Sequence, residues 1–563
     1  MNARTLIVRS ALPSNTLMSH PFGKSIPRKE GRKKVTGQAL YVDDLTFPEM
    51  LHGTTVRSSA ARGKIKNISF TGGLPWDEFV IVTAKDIPGA NIVALILDDQ
   101  PYLAADHINH PEEPVLLLAH RDKYLLEEAR RNVKIEIEEL PPVLTLDDSL
   151  KKTQIIWGQD NVFKQFLVDK GDVDAAWSTA DLIVEGEYET GAQEQLYIEN
   201  NGAIAIANAS EGVTVWGSMQ CPYYVHKALI KLFGLPEHKI RVIQTETGGG
   251  FGGKEEYPSM ISGHAALLAW KAGKPVKMIY DRAEDMVATT KRHPSRTHHK
   301  TGISKDGKLV AMEIDFVIDG GAYCTLSPVV LSRGTIHSAG PYFCPNVRIE
   351  SRAVATNVPP HGAFRGFGAP QSIFALERHL DKVAQAAGLS PAEFRRRNFI
   401  HEGEETATSQ VIHDHVDMNR LLDRAFQLSD YHNKREKFSR ENAGSRVKRG
   451  IGFASFMHGA GFTGSGEVYL QSVVGVEATA EGRVQVLAAS TEIGQGTNTI
   501  FSQIASEALG LDFDSIEIVQ PDTNKVPNSG PTVASRTSMV VGKLVESAAL
   551  SLKQTLIGCG LLA

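Results

Sequence analysis

One short segment concentrates the residues of this sequence whose types and spacing could do chemistry. Five glycines occur between Gly248 and Gly253, interrupted only by Phe251, and Lys254 and Glu255 follow at once. An apolar, strand-like run precedes the glycines, and a helix is predicted after them. Glycine is less stable than alanine in regular structure by about 0.5–1 kcal/mol, so such a cluster needs a use. Its usual use is close approach of the main chain to another group, with exposed N–H groups donating to an anion.

Three interpretations of this segment stay open when it is taken alone. It fits the front of a P-loop, but Glu255 stands where Ser or Thr would bind magnesium, and a carboxylate repels phosphates. The spacing Gly248-x-Gly250-x-x-Gly253 also fits a dinucleotide fingerprint, although Glu255 and Glu256 place negative charge behind the phosphate turn. The third interpretation is a turn that uses glycine only for tight packing.

Four further glycine-rich segments follow, at 359–371, 461–467, 491–498 and 528–537. In the first of them, Arg365 lies between two aromatic residues. Several loops with many main-chain donors suit a large anionic cofactor held from several sides, whereas a dinucleotide-binding unit needs only one such loop. The number of these loops therefore favours a large bound cofactor.

Composition limits the class of protein. With 563 residues, 42% hydrophobic and 22% charged, the chain predicts a folded protein of about three or four domains. A net charge of −5 argues against a nucleic-acid partner. No apolar run approaches the ~20 residues of a membrane helix, and the N-terminus has no secretory signal. The four cysteines are widely spaced without a C-x-x-C pair, which predicts reduced thiols, a cytoplasmic location and no iron–sulfur or zinc site in this chain.

Hydrophobic patterning predicts an α+β fold in three regions after an N-terminal arm at 1–30. The regions are 31–150, 165–430 and 449–563. Alternation predicts strands at 38–42, 50–57, 79–84 and 133–139 in the first region, and at 182–189, 212–217, 276–281, 483–487 and 515–519 in the other two. Helices are predicted at 122–131, 223–233, 259–271, 499–509 and 542–557, and a capping box with Pro at the first position predicts another from Ser390.

Taken together, these motifs resemble the molybdenum-binding large subunit of the xanthine dehydrogenase/aldehyde oxidase family. The similar segments occur in the same order as in the family, at 37–44, 138–142, 193–199, 248–255, 363–368, 494–496 and 530–535. The resemblance implies a hammerhead-type α/β domain at 31–150. It also implies a first molybdopterin-binding α+β domain at 165–430 and the N-terminal part of a second, incomplete one at 449–563.

The resemblance also implies roles for particular residues. Those implied to surround the molybdenum and the pterin are Gln220, Gly250, Phe251, Gly252, Arg365, Gln495, Gly496, Val533, Ala534 and Ser535. Those implied to line the substrate pocket are Phe367 and Phe453, with Glu255 and Arg333 as charged groups that act on the substrate. No residue is expected to ligate the metal, which the pterin holds in this family.

Structural interpretations of the same residues stay open. Glu255 could be a partner of Lys254, and Arg333 or Arg365 could form structural ion pairs. Phe367 and Phe453 could belong to the core. His293, His298 and His299 suggest a metal site, but a basic strand face is favoured.

The implied activity is hydroxylation of a purine- or xanthine-like N-heterocycle, or of an aldehyde, with oxygen from water. Iron–sulfur and FAD partners would take the electrons, in a possible homodimer of heterotrimers, and the pterin could carry a cytosine dinucleotide. The family's general-base glutamate lies in a Gly-Glu-Pro-Pro-like segment that this sequence lacks, so the chain is expected to be inactive alone. A dinucleotide-dependent dehydrogenase and a non-catalytic remnant are the alternatives.

Overall fold

The computed structural model describes residues 21–462 and 466–562. Its strands are β1 Leu51–Arg57, β2 Gly63–Phe70, β3 Val80–Thr83, β4 His107–Ile108, β5 Pro114–His120, β6 Val133–Glu139, β7 Val162–Lys170, β8 Leu182–Thr190, β9 Gly202–Asn208, β10 Gly212–Gly217, β11 Ile240–Gln244, β12 Val276–Ile279, β13 Ser295–Ile303, β14 Leu309–Gly321, β15 Asn346–Ala355, β16 Gly475–Ala478, β17 Val484–Leu487 and β18 Ile516–Ile518. Its α-helices are α1 Gly31–Val35, α2 Lys123–Arg131, α3 Leu146–Leu150, α4 Val173–Ala176, α5 Pro222–Phe233, α6 Pro258–Ala272, α7 Arg282–Ala288, α8 Ser327–His337, α9 Ala369–Ala386, α10 Pro391–Asn398, α11 Met418–Ser429, α12 Tyr431–Gly444, α13 Gly466–Leu470, α14 Thr497–Leu509 and α15 Gly542–Gly558.

The largest sheet has seven strands in the order β11-β10-β9-β12-β1-β5-β3. It combines strands from the predicted regions 31–150 and 165–430. The junction is a parallel pairing of β1 with β12, in which Leu51 faces Val276, while β5 pairs antiparallel with the other side of β1. The two predicted regions therefore share one sheet, and their side chains share one hydrophobic core.

Helices α5 and α6 cover this core and position the loops at their N-termini. Nearly every residue of α6 from Pro258 to Ala269 is buried, as expected for a helix that is apolar or small on all sides. Both helices begin with proline and end at a left-handed glycine, Gly234 for α5 and Gly273 for α6. The predicted helix ends are thus confirmed, because glycine adopts this backbone conformation without a steric penalty.

Three smaller sheets complete the described fold. A five-stranded sheet, β7-β15-β14-β13-β8, packs on α8 and α9, and a three-stranded sheet, β16-β17-β18, packs on α14 and α15. The third, β4-β2-β6, extends the first region. Helix α10 begins after Ser390, whose side chain accepts from the Glu393 N–H, which confirms the predicted cap.

The predicted strand at 38–42 is wrong. Only Tyr41 forms an isolated bridge, and a 3₁₀ turn follows from Val42 to Asp44. The Asp44 carboxylate accepts from the Tyr41 N–H at 2.9 Å, so a local side-chain bond stabilises the turn in place of a strand ladder.

The order of strands also argues against a dinucleotide-binding unit around the glycines. Strand β11 lies at the edge of its sheet beside β10, whereas β12, the next strand along the chain, lies between β9 and β1. A dinucleotide-binding βαβ unit places the strands before and after its helix in one parallel ladder near the centre of the sheet. The glycine-rich loop therefore serves another purpose.

Residues 1–20 of the predicted N-terminal arm lie outside the described range. Residues 21–30 lie on α14, where the Gln503 side-chain amide donates to the Pro21 carbonyl at 3.1 Å. Within 21–462 and 466–562, no helix combines the length and apolar character that a membrane span requires.

Candidate active site

Gln220 lies where loops from three parts of the chain meet, in the turn between β10 and α5. Its side-chain Oε1 accepts from the Gly252 N–H at 2.9 Å, and its Nε2 donates to the Thr532 carbonyl at 3.2 Å. Its own carbonyl accepts from the Thr491 hydroxyl at 3.1 Å. Gln220 therefore joins the glycine-rich loop to two loops of the third region. Thr491 and Thr532 were missed by the sequence analysis, although each adjoins a glycine motif that it identified.

The glycine-rich loop makes the close approaches that its composition predicts. A Cβ atom on Gly250 would lie 2.4 Å from Gln220 Oε1, and one on Gly252 would lie 2.7 Å from the Ala363 carbonyl. Gly252 has φ 108°, and Phe251 has φ 53° although it is not a glycine. Residues held in the left-handed region cluster at functional sites, where the surrounding structure enforces them.

A buried ion pair supports this loop from behind. Lys254 Nζ lies 2.9 Å from Glu199 Oε2 and 2.8 Å from the Ser218 hydroxyl, and the same Glu199 oxygen accepts from the Gly248 N–H at 2.7 Å. Burial lowers the pKa of Lys254, and the Glu199 carboxylate opposes this change. Lys254 thus anchors the loop. The ion-pair partner of Lys254 is Glu199, and Lys254 forms no ion pair with Glu255. The interpretation of Glu255 as a partner of Lys254 is therefore wrong.

The predicted arginine loop contacts the glycine-rich loop through its main chain. The Arg365 N–H donates to the Phe251 carbonyl at 2.8 Å, and the Arg365 carbonyl accepts from Arg292 at 2.9 Å. Two residues later, Phe367 has φ 52°, and its ring packs against the core around Phe316 and Leu331. The exposed Arg365 side chain takes part in neither contact.

Two loops of the third region complete the arrangement. The Gln495 side chain forms a hydrogen bond within its own loop, where Oε1 accepts from the Ile493 N–H at 2.8 Å. Gly496, which directly precedes α14, has φ 100°. Ala534 and Ser535 are consecutive residues with φ 53°. The main-chain N–H groups of Phe251, Ala534 and Ser535 have no hydrogen-bond partner among the residues that the structure describes. These three N–H groups are therefore unpaired hydrogen-bond donors on main chain of fixed conformation. Such donors suit a large ligand that is rich in hydrogen-bond acceptors.

A cavity of about 370 Å³ opens directly beside Gln220. Its lining is mostly apolar and aromatic and includes Cys221, Tyr223, Tyr224, Leu470 and Pro531. Cys221 follows Gln220 in sequence, and Pro531 precedes its partner Thr532. Gln220, Glu255 and Arg333 are not among the lining residues, so the cavity adjoins the meeting point of the loops through Cys221 and Pro531.

Glu255 and Glu256 form a buried pair of carboxyl groups at this point. Burial, and then the neighbouring Glu256, raises the pKa of Glu255 well above its usual value. Burial, followed by Glu255, also raises the pKa of the Cys221 thiol, which places the Glu255 charge near the cavity lining. No hydrogen bond or ion pair to the Glu255 carboxyl is made by any residue within 21–462 or 466–562. The Glu255 carboxyl is therefore unpaired within the described residues, and its burial favours the neutral form.

Glu256 has a structural role that the sequence analysis missed. Its Oε1 accepts from the Ala363 N–H at 3.0 Å, and a Cβ atom on Gly362 would lie 1.6 Å from this oxygen. The carboxyl thereby fixes the start of the arginine loop against the glycine-rich loop. Its position next to Glu255 in sequence is the one signal that could have identified it.

Arg333 is buried on α8, and its guanidinium contacts main-chain carbonyls. Nη1 donates to Gly459 at 2.8 Å and Nη2 to Gly461 at 2.5 Å, while the Gly461 N–H donates to the Ala534 carbonyl at 2.7 Å. Burial lowers the pKa of Arg333. No carboxylate in the described part of the chain pairs with this cation, so the interpretation as a structural ion pair is wrong.

The two predicted pocket aromatics lie in different hydrophobic clusters. Phe453 packs against Phe426, with ring centroids 5.0 Å apart, and against Tyr431 at 5.7 Å. Phe367 belongs to the cluster on the five-stranded sheet. Phe462, which directly follows the carbonyl partner of Arg333, is the aromatic residue that sequence reasoning missed here. Its position within the glycine-rich segment 461–467 is the signal for it.

The three histidines do not form a metal site. His298 and His299 lie on β13, with His298 on the partly exposed basic face and His299 on the buried face, where it stacks on His379 at 4.9 Å. His293 is buried before the strand and bonds the Ser327 hydroxyl at 2.9 Å. Throughout the described residues, no three His, Cys, Asp or Glu side chains are grouped as a metal would require.

Comparisons with known proteins agree with this arrangement. Residues 36–141 match the aldehyde oxidase and xanthine dehydrogenase a/b hammerhead domain, and residues 158–399 and 424–559 match two molybdopterin cofactor-binding domains. The predicted fold class, a hammerhead domain followed by two molybdopterin-binding domains with α+β structure, is confirmed.

Among similar proteins, a probable xanthine dehydrogenase subunit of Bacillus subtilis is 35% identical over 91% of this chain and 68% of its own length. The nicotinate dehydrogenase large molybdopterin subunit of Eubacterium barkeri is 34% identical over 72% of this chain and 95% of its own length. The aldehyde oxidoreductase structure from Desulfovibrio desulfuricans superimposes with a TM-score of 0.86 at 26% identity, over 96% of this chain and 61% of that one. With donor-rich loops of both matched domains converging on Gln220, the chain belongs to the molybdopterin-binding family of molybdenum hydroxylases that includes xanthine dehydrogenase and aldehyde oxidoreductase.

Proposed function

We propose that this chain is the molybdopterin-binding subunit of a molybdenum hydroxylase that oxidises an aromatic N-heterocycle of the purine or xanthine type, with water as the oxygen source. The observation that carries the proposal is the convergence of loops from both molybdopterin-binding domains on Gln220, beside a cavity of about 370 Å³. An aldehyde is the second substrate class, since the matched aldehyde oxidoreductase structure has the same fold.

The residues present fit a molybdopterin. Free main-chain donors at Phe251, Ala534 and Ser535 match the acceptor atoms of a pterin and its phosphate, and Gly250 and Gly252 leave no room for a side chain where the loop is closest to its neighbours. When bound, the cofactor would supply two-electron redox chemistry and the metal centre at which oxygen from water is transferred. A pterin that carries a cytosine dinucleotide is part of this proposal, but the N–H groups of Gly494 and Gly496 already bind Glu492 and would not serve its phosphates.

In this proposal, Glu255 and Arg333 are the groups that contact the substrate. A neutral Glu255 carboxyl group can donate a hydrogen bond to a ring nitrogen and accept one from a ring N–H. Tyr223 and Tyr224 give the cavity flat walls suited to a planar ring. Arg333, a buried cation without a carboxylate partner in the described chain, would offset negative charge that develops on the ring. Phe462 beside it is a better candidate for the second pocket aromatic than Phe453.

Electrons would leave through iron–sulfur and FAD partner subunits. Three of the four cysteines are buried at separate places, and only Cys559 is exposed, which suits a chain that holds no cluster of its own. The names of both relatives describe subunits of larger enzymes. Reduced thiols also fit our proposal that the protein works in the cytoplasm.

Cofactor analysis of the purified chain, obtained with the partner subunits encoded beside it, tests this proposal. We expect about one molybdenum and one pterin per chain. When a partner supplies the general-base glutamate that this sequence lacks, we also expect incorporation of oxygen from isotopically labelled water into oxidised hypoxanthine. Bound NAD without molybdenum would reject the proposal. Turnover of benzaldehyde without turnover of hypoxanthine would instead assign the aldehyde class.

A further inference from the structure

The described part of the N-terminal arm, residues 21–30, is attached to the second molybdopterin-binding domain at several points. Besides the contact of Pro21 with Gln503, the Lys29 N–H donates to the Thr499 hydroxyl at 3.1 Å. Lys29 Nζ donates to the Phe513 carbonyl at 2.7 Å and lies 4.1 Å from the centre of that ring. The arm is therefore fixed along α14, whose N-terminus follows the predicted cofactor loop 494–496.

Arg28 reaches from this arm into the cofactor loop. Its Nη2 donates to Glu492 Oε1 at 3.0 Å, and its Nη1 donates to the Gly494 carbonyl at 2.8 Å. Its Nε donates to Glu30 at 2.6 Å, which orients the guanidinium. The Arg28 side chain remains 43% exposed, whereas that of Glu492 is 7% exposed.

The loop itself is folded around the Glu492 carboxylate. Oε1 accepts from the N–H groups of Gly494 at 2.8 Å and Gly496 at 3.1 Å, and Oε2 accepts from that of Asn498 at 3.2 Å. The Glu492 carbonyl accepts from the Gln244 side chain at 3.0 Å, which connects the loop to the strand before the glycine-rich segment. One buried carboxylate thus fixes the conformation of the loop and its place beside the first domain.

Arg28 is shared between two carboxylates, Glu492 and Glu30, whose side chains are 7% and 6% exposed. Of the two, Glu492 belongs to the loop, where it accepts from three main-chain N–H groups. Arg28 is the cation in hydrogen-bond contact with it among the residues the structure describes. The guanidinium also binds the loop carbonyl at Gly494, so it joins the two ends of the turn.

We propose that Arg28 is a positioning residue for the cofactor: through its contacts with Glu492 and the Gly494 carbonyl, it holds the 494–496 loop in its cofactor-binding conformation. This inference rests on the proposed function for the identity of the ligand. The action of Arg28 on the loop can be tested separately.

The test compares Arg28→Ala, Arg28→Lys and Lys24→Ala in the full chain purified with its cofactor. Lys24 is a matched control, because it is an exposed cation on the same arm whose side chain makes no hydrogen bond or ion pair with the described residues. Hydrogen exchange of the amides of Gly494, Gly496 and Asn498 reports on the loop, and the rate of pterin loss in dilute chaotrope reports on the cofactor. Hydrogen bonds to charged groups are strong enough that we expect Arg28→Ala to speed both by about tenfold or more.

Arg28→Lys should recover part of both effects, because it restores the charge but not the two-point contact, and Lys24→Ala should behave as the unchanged protein. Unchanged exchange in Arg28→Ala would overturn the inference, as would faster exchange with unchanged pterin loss. Equal effects of Lys24→Ala and Arg28→Ala would also overturn it, since the charge of the arm would then matter rather than this contact. If the unchanged chain holds no pterin, the proposed function fails, while amide exchange still decides whether Arg28 holds the loop.

Discussion

In the function we propose, the choice between a purine-like ring and an aldehyde depends on the Glu255 carboxyl group. It is 3% exposed, and both burial and Glu256 favour its neutral form. A neutral carboxyl group carries a donor and an acceptor on one side chain, and a purine ring edge presents the complementary pair. An aldehyde offers one acceptor and gains less from this group.

We expect Glu255→Val to lower kcat/KM for hypoxanthine by about 10–100-fold, the range of one or two lost hydrogen bonds in a buried site. The same variant should change kcat/KM for benzaldehyde by less than about threefold, since a substrate without this contact loses only packing. Steady-state kinetics of the holoenzyme with both substrates measure the ratio. Glu237→Val serves as the control, because Glu237 is a carboxylate in the cavity lining that is not part of the buried Glu255–Glu256 pair. Equal losses on the two substrates would contradict a role of Glu255 in binding the ring.

The elements around the site show how much sequence reasoning can and cannot reach. Gly234 and Gly273 end their helices as predicted, because local chemistry alone determines a left-handed cap. The glycine-rich loop was recognised from composition, but its purpose depends on Ala363, which lies far along the chain and opposite Gly252. Phe453 shows the same limit: its local motif resembles the pocket, while Phe426 and Tyr431 hold it in another cluster. Contacts between distant segments leave no local pattern in one sequence.

At the glycine-rich loop, Gly252→Ala should abolish cofactor retention. A Cβ atom there would lie 2.7 Å from main-chain atoms of Ala363, which cannot rotate away, and φ 108° disfavours any side chain. Gly273→Ala is the matched control, since Gly273 also has positive φ, at 63°, but a Cβ atom would meet nothing within 4 Å. The control should lose about 1 kcal/mol of stability from backbone strain and keep its molybdenum. Molybdenum content and thermal unfolding of the two variants distinguish the loop from strain in general, and equal molybdenum contents would contradict the prediction.

Across the whole molecule, buried neutral histidines predict sensitivity to acid. Burial lowers the pKa of His264 and of His379 to about 3, and lowers that of His299 well below its usual value. An unfolded histidine has a pKa of about 6.5, so the unfolded chain binds more protons below this pH. Stability is therefore complete above about pH 6.5 and falls as pH drops toward 3, by up to about 1.4 kcal/mol per pH unit for each histidine.

His264→Gln should reduce this acid sensitivity. The His264 ring bonds the Tyr102 carbonyl at 2.9 Å, a contact that the glutamine amide can also make without titrating. The fall in unfolding temperature between about pH 6.5 and pH 4.5 should be smaller than in the unchanged chain. His415→Gln, a change at a histidine whose side chain is 82% exposed, should leave the fall as it is. Identical pH profiles for His264→Gln and the unchanged chain would show that His264 is not buried in its neutral form.

The shared seven-stranded sheet predicts which pieces of the molecule can fold alone. Strand β1 lies between β12 and β5, so a cut at residue 150 removes β12 from β1 and exposes the core that joins Leu117 to Leu268. Fragments 1–150 and 151–563 should each lack cooperative thermal unfolding, and they should regain it when they are refolded together.

A cut at residue 445 leaves the seven-stranded and five-stranded sheets whole, so fragment 1–445 should unfold cooperatively by itself. Circular dichroism and gel filtration of the three fragments measure this difference. Cooperative unfolding of isolated fragment 1–150 would show that the hammerhead region is independently stable and that β12 adds little to it.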